Sequence, residues 1–563
     1  MEAEELRAAI TKRALDNAIK HNGQAEKGTV ISGTIGEHPE LKQHAREITI
    51  LAASVVDEIN ALTVQQQRQL LEVIAPELLK KTTKRQHKKD YLPPLPNPDH
   101  VVMRFAPNPN GPATLGSARG IVINSEYAKR YRGSFVLRFD DTDPQTKRPM
   151  LEAYDWYLED CEWLGAAPNV VVKASDRIDT YYRYAGQLIQ QGAAYVCTCS
   201  QQQFKELKDA RLECPDRTRT PDENMKLWNK MLDGRFGEKE AVLRIKTDIA
   251  HKNPAVRDWI AFRIIDVMHP RGITLRVWPM LDFESAIEDH TLGITHIIRG
   301  KDLRDSERRQ KFLYDHLGWS YPFTLHWGRI SIHEYGKFST SALKKQIEQG
   351  TYRGWDDPQL PTLKALRRRG FIAEALRQFI LKLGVNESDI SVSLENLYAE
   401  NKKLVDPVAN RYFFVEDPVM MNVSNAPVKT ARVPLHPSRP SLFRRIRVGS
   451  EVCVSAKDLK FPSGDTIRLK DLYNVRVVSK KPLEAEYVSD DIIRGLKIIH
   501  WAPPGGPLVE VLKPDGIDRG VGEPGIATQL GKVVQFERYG FARVDEVHRQ
   551  GQRMRIICYF THK

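Results

Sequence analysis

The chain has 563 residues, too many for one core, and at roughly 100–200 residues per domain it is expected to form several. Its hydrophobic content of 41% and charged content of 28% fit a soluble globular protein, without a run of about 18 apolar residues that would cross a membrane. A net charge of +13 favours a polyanionic partner or a solvated basic surface, and six cysteines are too few for a disulfide scaffold, so a reducing, cytoplasmic location is expected.

The first residues, "MEAEELRAAITKR", are acidic and amphipathic and lack the basic-then-apolar order of a secretory signal. Glu47–Leu62 and Gln65–Lys81 carry apolar residues at i, i+3/i+4 spacing and predict helices. Lys80–His100 is basic and then proline-rich, which reads as a solvated linker or as one that also touches RNA phosphates.

From Val101 the pattern changes. "VVMRFA" is strand-like, Gly116–Tyr131 helical, and Gly133–Asp141 strand-like again. "MLEAYDWYLEDCEWLG" is helical, "NVVVKAS" strand-like and "DTYYRYAGQLIQQG" helical. Such alternation predicts an α/β domain with a parallel sheet, whose ligand sits at the carboxyl ends of the strands. One helical stretch is expected over Thr362–Gly384. After about Arg411, short β-branched runs between Gly, Pro and Asp suggest β-barrels or a sandwich. "GVGEPG" (Gly520–Gly525) fits the spacing of a dinucleotide turn, but no strand is expected before it and Pro524 interrupts it, so it is set aside.

The stretch with most chemistry in it is "RFAPNPNGPATLGSARG", Arg104–Gly120. A strand ending in a Pro/Asn/Gly turn and then a helix presents backbone N–H groups and a helix dipole to phosphate. Gly111 and Gly116, lacking Cβ, let a ligand approach the backbone. This stretch resembles the first signature of the class I aminoacyl-tRNA synthetases, in the glutamyl/glutaminyl branch. "LRFDDTDP" (Leu137–Pro144) is similar to the strand end that follows it in that family, and "IEDHTLGITHIIRGKDL" (Ile287–Leu303) to the family's substrate-pocket strand. "GKFSTSALKK" (Gly336–Lys345) stands where the second signature belongs, and Thr351–Phe371 resembles a hallmark of archaeal and eukaryotic members.

The N-terminal helical region with its basic, proline-rich linker (1–95) lies outside the resemblance and its role is open; the resemblance implies a Rossmann-type catalytic domain (96–350) with an acceptor-arm insertion near 195–280, a helical stem-contact domain (351–415) and anticodon-reading β-barrels (416–563). The implied activity joins L-glutamate to tRNA(Glu) using ATP and Mg2+ through a glutamyl-adenylate; whether tRNA(Gln) is also an acceptor is open. A monomer in the cytoplasm, with no membrane partner, is expected. A glutaminyl enzyme and a catalytically degraded tRNA-binding relative are the alternatives.

Carried onto this chain, the ATP-binding turn is Pro107, Asn108, Pro109, Asn110, Gly111, Pro112, Ala113, Thr114, Leu115, Gly116 and Ser117. The second loop is Lys337, Phe338, Ser339, Thr340 and Ser341. Thr114, Gly116, Ser117 and Lys337 are the implied catalytic set. Two family histidines fall on Thr114 and Ser117, whose hydroxyls donate hydrogen bonds but carry no charge. A family lysine falls on Thr340, with Lys344 or Lys345 as substitutes.

A γ-carboxylate suits a guanidinium, whose fork grips it bidentately, whereas an amide needs a neutral pair. Arg104 and Arg299 are therefore expected to hold glutamate, with Asp140 and Asp143 on its ammonium and nearby polar groups. The family tyrosine of this pocket falls on Leu281, so its hydroxyl is absent. Cys197, Cys199 and Cys214, followed by Asp216, fit either zinc ligands or a reduced cluster, and Cys161, Cys453 and Cys558 read as core. Basic residues beside aromatics in Ser441–Gly449, "NVRVVSKKP" and "VQFERYGF" suit phosphate contacts and base stacking, or barrel packing.

Overall fold

The computed structural model describes residues 3–20, 23–37, 45–75, 91–335, 340–551 and 553–563. The chain divides into two units, Met1–Asp90 and Tyr91–Lys563.

The first unit is helical: Ala3–Lys20, Lys27–Glu37, Ala45–Asn60 and Val64–Ile74. Ile10, Leu15, Val30, Ile48, Val55, Val56 and Leu71 meet in its core. The last helix starts where Thr63 accepts from the Gln66 N–H while the Gln66 side chain accepts from the Thr63 N–H, a reciprocal capping box. Residues 76–81 of the expected helix and the basic run to Asp90 lie outside the described residues.

The second unit is built on a five-stranded parallel sheet. Its order is Val170–Lys173, Ser134–Phe139, Val102–Phe105, His296–Gly300, Phe323–Trp327. The chain thus lays strands outward in one direction and then returns to the other side of Val102–Phe105. The strand order reverses between Val102–Phe105 and His296–Gly300, and such a switch point opens a crevice at the carboxyl ends. Helix Leu115–Arg130 covers the sheet so closely that a Cβ on Gly120 would lie 2.3 Å from the Phe105 ring.

Between Val170–Lys173 and His296–Gly300 the chain makes a separate four-stranded antiparallel sheet, Ala194–Cys197, Val242–Ile245, Ile260–Ile264 and Val277–Pro279. Its apolar face, including Trp278, packs with Tyr181 and Trp228 into a second core.

The stretch Thr362–Gly384 is two helices, Leu363–Arg368 and Ala373–Leu383. Gly370 separates them at φ +90°, where a Cβ would come within 2.4 Å of Val533. Beyond Arg411 the fold is all β, in a seven-stranded sheet, a six-stranded sheet and the hairpin Lys429–Pro434/Phe443–Val448. Strands Arg411–Tyr412 and Phe414–Glu416 sit at the two edges of the seven-stranded sheet, which is otherwise formed by residues 508–562. Contrary to the sequence expectation, a strand, Gly516–Gly522, does run into "GVGEPG". It is antiparallel and is followed by the 3-10 turn Pro524–Gln529 rather than by an α-helix, so no dinucleotide turn forms.

Candidate active site

Thr114 caps helix Leu115–Arg130, its hydroxyl accepting from the Ser117 N–H at 3.5 Å. The turn before it is stitched to the neighbouring strand end. Pro107 O accepts from the Asp140 N–H at 3.0 Å, the Asn108 amide donates to Asp140 O at 2.8 Å, and Pro109 O accepts from Met150 N–H at 2.8 Å. Gly116 is exposed at the helix start, where an added Cβ would meet nothing nearer than Thr114 Oγ1 at 3.6 Å. The space over this first turn is open, as a helix N-terminus that receives an anion requires. The Ser117 hydroxyl lies 3.5 Å from that of Tyr157.

Lys337, Phe338 and Ser339 of the second loop lie outside the described residues, as does the Ser341 side chain. Thr340 opens helix Thr340–Glu348, which also carries Lys344 and Lys345. A Cβ on Gly111 would lie 2.3 Å from the Thr340 methyl. The two signatures, more than two hundred residues apart in the chain, therefore meet at Gly111 and Thr340.

The segment Thr351–Phe371 supports this junction from below. Pro361 O accepts from the Leu115 N–H at 3.2 Å and Ala113 O from the Leu363 N–H at 2.9 Å. Thr362, fully buried, caps its own helix and donates to Trp355 O at 2.6 Å.

At the switch point lies a cavity of about 180 Å³, lined among others by Arg104, Asp140, Leu281, Ser285, Arg299 and Gln310. Arg104 and Arg299 come from adjacent strands and are both buried. Arg104 donates through Nε and Nη2 to the two oxygens of Asp289, at 3.2 and 3.4 Å. Arg138 donates to Asp289 at 2.7 Å and to Asp140 at 2.6 Å. Burial works against ionising Asp289, but Arg104 and Arg138 hold its carboxyl below the usual range. Burial likewise disfavours the Arg138 charge, and Asp140 and Asp289 overturn that and secure it.

Glu284, on the same helix as Asp289, behaves oppositely. Burial and the Asp140 charge push its carboxyl well above the ordinary range, and the Thr142 hydroxyl donates to it. Asp282 is paired with Arg309. Arg104 and Arg138 thus share the carboxylates of Asp289 and Asp140, whereas Arg299, which lines the same cavity, pairs with no carboxylate among the described residues.

Of the expected glutamate residues, Arg104, Asp140 and Arg299 are thus together. Asp143 is not among the residues lining the cavity. It sits in the following turn, accepting from the N–H groups of Gln145 and Thr146 and pairing with Arg263 at 3.0 Å. Leu281 lines the cavity at the start of its helix. Sequence reasoning did not single out Arg138, Glu284, Asp289, Gln310 or Tyr321. The first three lay inside or beside quoted motifs, whereas Gln310 and Tyr321 carried no signal.

In the inserted sheet, Cys197, Cys199, Cys214 and Asp216 offer ligand atoms all within 4.8 Å of one another. The Cys214 sulfur lies 3.7 Å from that of Cys197 and 3.2 Å from that of Cys199. Zinc–sulfur bonds of about 2.3 Å in a tetrahedron place sulfurs about 3.8 Å apart, so this donor set fits the ion. The Cys197 thiol, hydrogen-bonded by Cys214 and facing Arg244, is pulled down to about 6, while burial pushes the Cys199 thiol up and the hydrogen bond to Cys197 pushes the Cys214 thiol up. Cys161, Cys453 and Cys558 are buried core residues.

The C-terminal aromatics divide. Phe536 and Phe541 of "VQFERYGF" are fully buried, and Tyr539 donates to Asp518, so they pack the sheet rather than offer a stacking face. On the hairpin, Arg432 and Arg445 lie 3.8 and 5.4 Å from the centre of the half-buried Phe443 ring, and Arg445 and Arg447 face solvent. Among the described residues no helix is long and apolar enough to cross a membrane.

Comparison with known proteins bears on this geometry. Family models described as tRNA synthetases class I (E and Q) match the chain over residues 100–407 for the catalytic domain, and over 409–491 and 498–545 for the anticodon-binding domain. A glutamate–tRNA ligase of Methanothrix thermoacetophila is 54% identical over 100% of both chains. Those of Archaeoglobus fulgidus and Pyrococcus furiosus are 47% and 46% identical, covering 99% and 100% of this chain and 100% of each relative. A crystal structure of a glutamate tRNA ligase from Elizabethkingia meningosepticum in complex with its amino acid is 21% identical, covering 55% of this chain and 70% of that one, with a TM-score of 0.41.

Proposed function

The chain belongs to the class I tRNA synthetases of the glutamate and glutamine branch, and from that premise we infer that it is a glutamate–tRNA ligase. The single observation that carries the choice of amino acid is the charge balance at the switch-point cavity. Arg104 and Arg299 line it together, and the Arg299 guanidinium has no carboxylate partner among the described residues. Glutamate brings a net negative charge and glutamine none. A buried guanidinium left facing an amide loses an ion pair and keeps its desolvation cost, so the acid is preferred.

The chemistry is two transfers. An α-carboxylate oxygen of glutamate attacks the α-phosphorus of ATP, and the bond to pyrophosphate breaks. A terminal ribose hydroxyl of tRNA then attacks the activated carbonyl, and AMP leaves with the bonding electrons. Neither step needs a protein nucleophile, so catalysis rests on placement and charge. Arg104 and Arg299 hold the γ-carboxylate, and Asp140 faces the ammonium. The turn Pro107–Ser117 receives the nucleotide, with the Gly116 N–H and the Thr114 and Ser117 hydroxyls as donors. Lys337 supplies positive charge to the departing pyrophosphate, with Lys344 and Lys345 on the adjoining helix. Mg2+ accompanies the phosphates of ATP and shields their charge. Zn2+ would be held by Cys197, Cys199, Cys214 and Asp216, pinning the loop that joins them.

The inserted sheet takes the acceptor arm, and the C-terminal sheets read the anticodon, with Arg432, Arg445 and Arg447 on phosphates. tRNA(Glu) is the acceptor. Isotope exchange between pyrophosphate and ATP tests the first transfer: glutamate with tRNA(Glu) present supports exchange, and glutamine does not. Exchange with glutamine alone overturns the assignment.

A further inference from the structure

Arg299 is held by two residues that no motif marks. Its Nη1 donates to Gln310 Oε1 at 3.0 Å, and its Nη2 donates to the Tyr321 hydroxyl at 2.6 Å. The Tyr321 hydroxyl in turn donates to the same Gln310 oxygen at 2.7 Å. The two acceptors therefore close the Nη1–Nη2 edge of the guanidinium as one unit. Arg299 Nε is buried and has no hydrogen-bond partner among the described residues. A guanidinium can grip a carboxylate along the Nη1–Nη2 edge or along the Nε–Nη2 edge. With the first closed, the second is the edge that keeps an unpartnered donor, and Arg299 is among the residues lining the cavity.

Gln310 is itself fixed from the other side. It is 1% exposed, and its amide nitrogen donates to Asp282 O at 3.3 Å and to the Ser285 hydroxyl at 3.4 Å. A carbonyl can only accept, so Asp282 O sets the amide nitrogen toward itself and the amide oxygen toward Arg299. The Ser285 hydroxyl also accepts from Arg138 Nη2 at 3.2 Å, which ties the clamp to the Arg138–Asp289–Arg104 network.

The chemical point is that both acceptors are neutral. A carboxylate at position 310 would orient Arg299 equally well but would cancel its charge. We propose that Gln310 and Tyr321 form a neutral clamp that positions Arg299 side-on while leaving its charge to the substrate γ-carboxylate, so that Gln310 sets the preference for acid over amide. This rests on the reading of the cavity as the glutamate site. Neither residue touches the reacting atoms; both are positioning residues acting through Arg299.

The test is steady-state aminoacylation by the full-length protein and its Gln310→Glu and Tyr321→Phe variants, with glutamate and glutamine as competing substrates. Gln310→Glu is expected to raise KM for glutamate by about tenfold or more while KM for ATP stays within about twofold, and to lower the glutamate-over-glutamine preference. Tyr321→Phe keeps the shape, removes one acceptor, and is expected to raise KM for glutamate about threefold with kcat little changed. Circular dichroism and thermal unfolding show whether each variant folds. If Gln310→Glu does not, Tyr321→Phe decides alone. Folded variants with glutamate KM within about twofold of wild type overturn the clamp. Wild-type protein that charges no glutamate overturns the functional reading instead, before any variant is compared.

Discussion

Thr114 and Thr362 face each other across an isolated antiparallel bridge, and each caps the helix that follows it. The turn Pro107–Ser117 is therefore braced by a segment about two hundred and fifty residues later in the chain, not by its own strand alone. The bracing is specific: two backbone hydrogen bonds, two caps and the buried Thr362–Trp355 contact.

Thr362→Ala removes the cap on Ala365 and leaves the Trp355 carbonyl without its donor. The expected loss is about 1–3 kcal/mol in denaturant unfolding, with a raised KM for ATP. Thr362→Ser keeps the hydroxyl and should recover most of both. An unchanged KM for ATP in the alanine variant would detach the brace from nucleotide binding.

Asp289→Asn leaves Arg104 and Arg138 without the charge they share. Breaking a buried pair from one side costs about 3–5 kcal/mol. The Asp289 carboxyl is held below its ordinary value, so its contribution is present at neutral pH and is lost as pH falls below about 4 and through the folded value. Wild type should therefore lose its stability advantage over Asp289→Asn on acidification, as read by urea unfolding at several pH values.

Asp160 has the opposite sign. It is fully buried on helix Leu151–Trp163, and neither carboxylate oxygen has a hydrogen-bond partner among the described residues. Burial pushes it up to about 7, against the pull of Arg367 and Lys364. An unfolded aspartate ionises near 3.9, so stability is full below about pH 4 and declines until the folded group ionises near 7. Asp160→Asn should gain on wild type across that window and hold its advantage above it.

Zinc analysis by mass spectrometry is expected to find one ion per chain, bound by Cys197, Cys199, Cys214 and Asp216. Cys214→Ser should lower zinc content and destabilise the inserted sheet. Metal-free protein purified without chelator, with three reactive thiols, would favour the reduced cluster.

Much of this was legible before the structure, and the exceptions have physical causes. The turn Pro107–Ser117 stood out because a strand, a stiff turn and a helix leave a local signature, whereas Arg104 and Arg299 stood out through the family motifs that contain them. Their convergence did not, since it depends on sheet order: residues almost two hundred apart sit on neighbouring strands only because the order reverses there. Gln310 was invisible as one polar residue in the polar run "ERRQKF". Thr362–Gly384 read as one helix because its apolar period resumes after "RRRG", while Gly370, at φ +90°, ends the first helix where an added Cβ would come within 2.4 Å of Val533. The aromatics of "VQFERYGF" could equally have faced base or core, and burial decided it.

The most direct measurement is aminoacylation with labelled glutamate or glutamine, ATP and Mg2+, on purified tRNA(Glu) and tRNA(Gln) in separate reactions. Glutamate attached to tRNA(Glu), with no glutamine on either tRNA, is the result predicted from the charge at the switch-point cavity. Glutamine as the attached amino acid, or tRNA binding with no product at all, would contradict it.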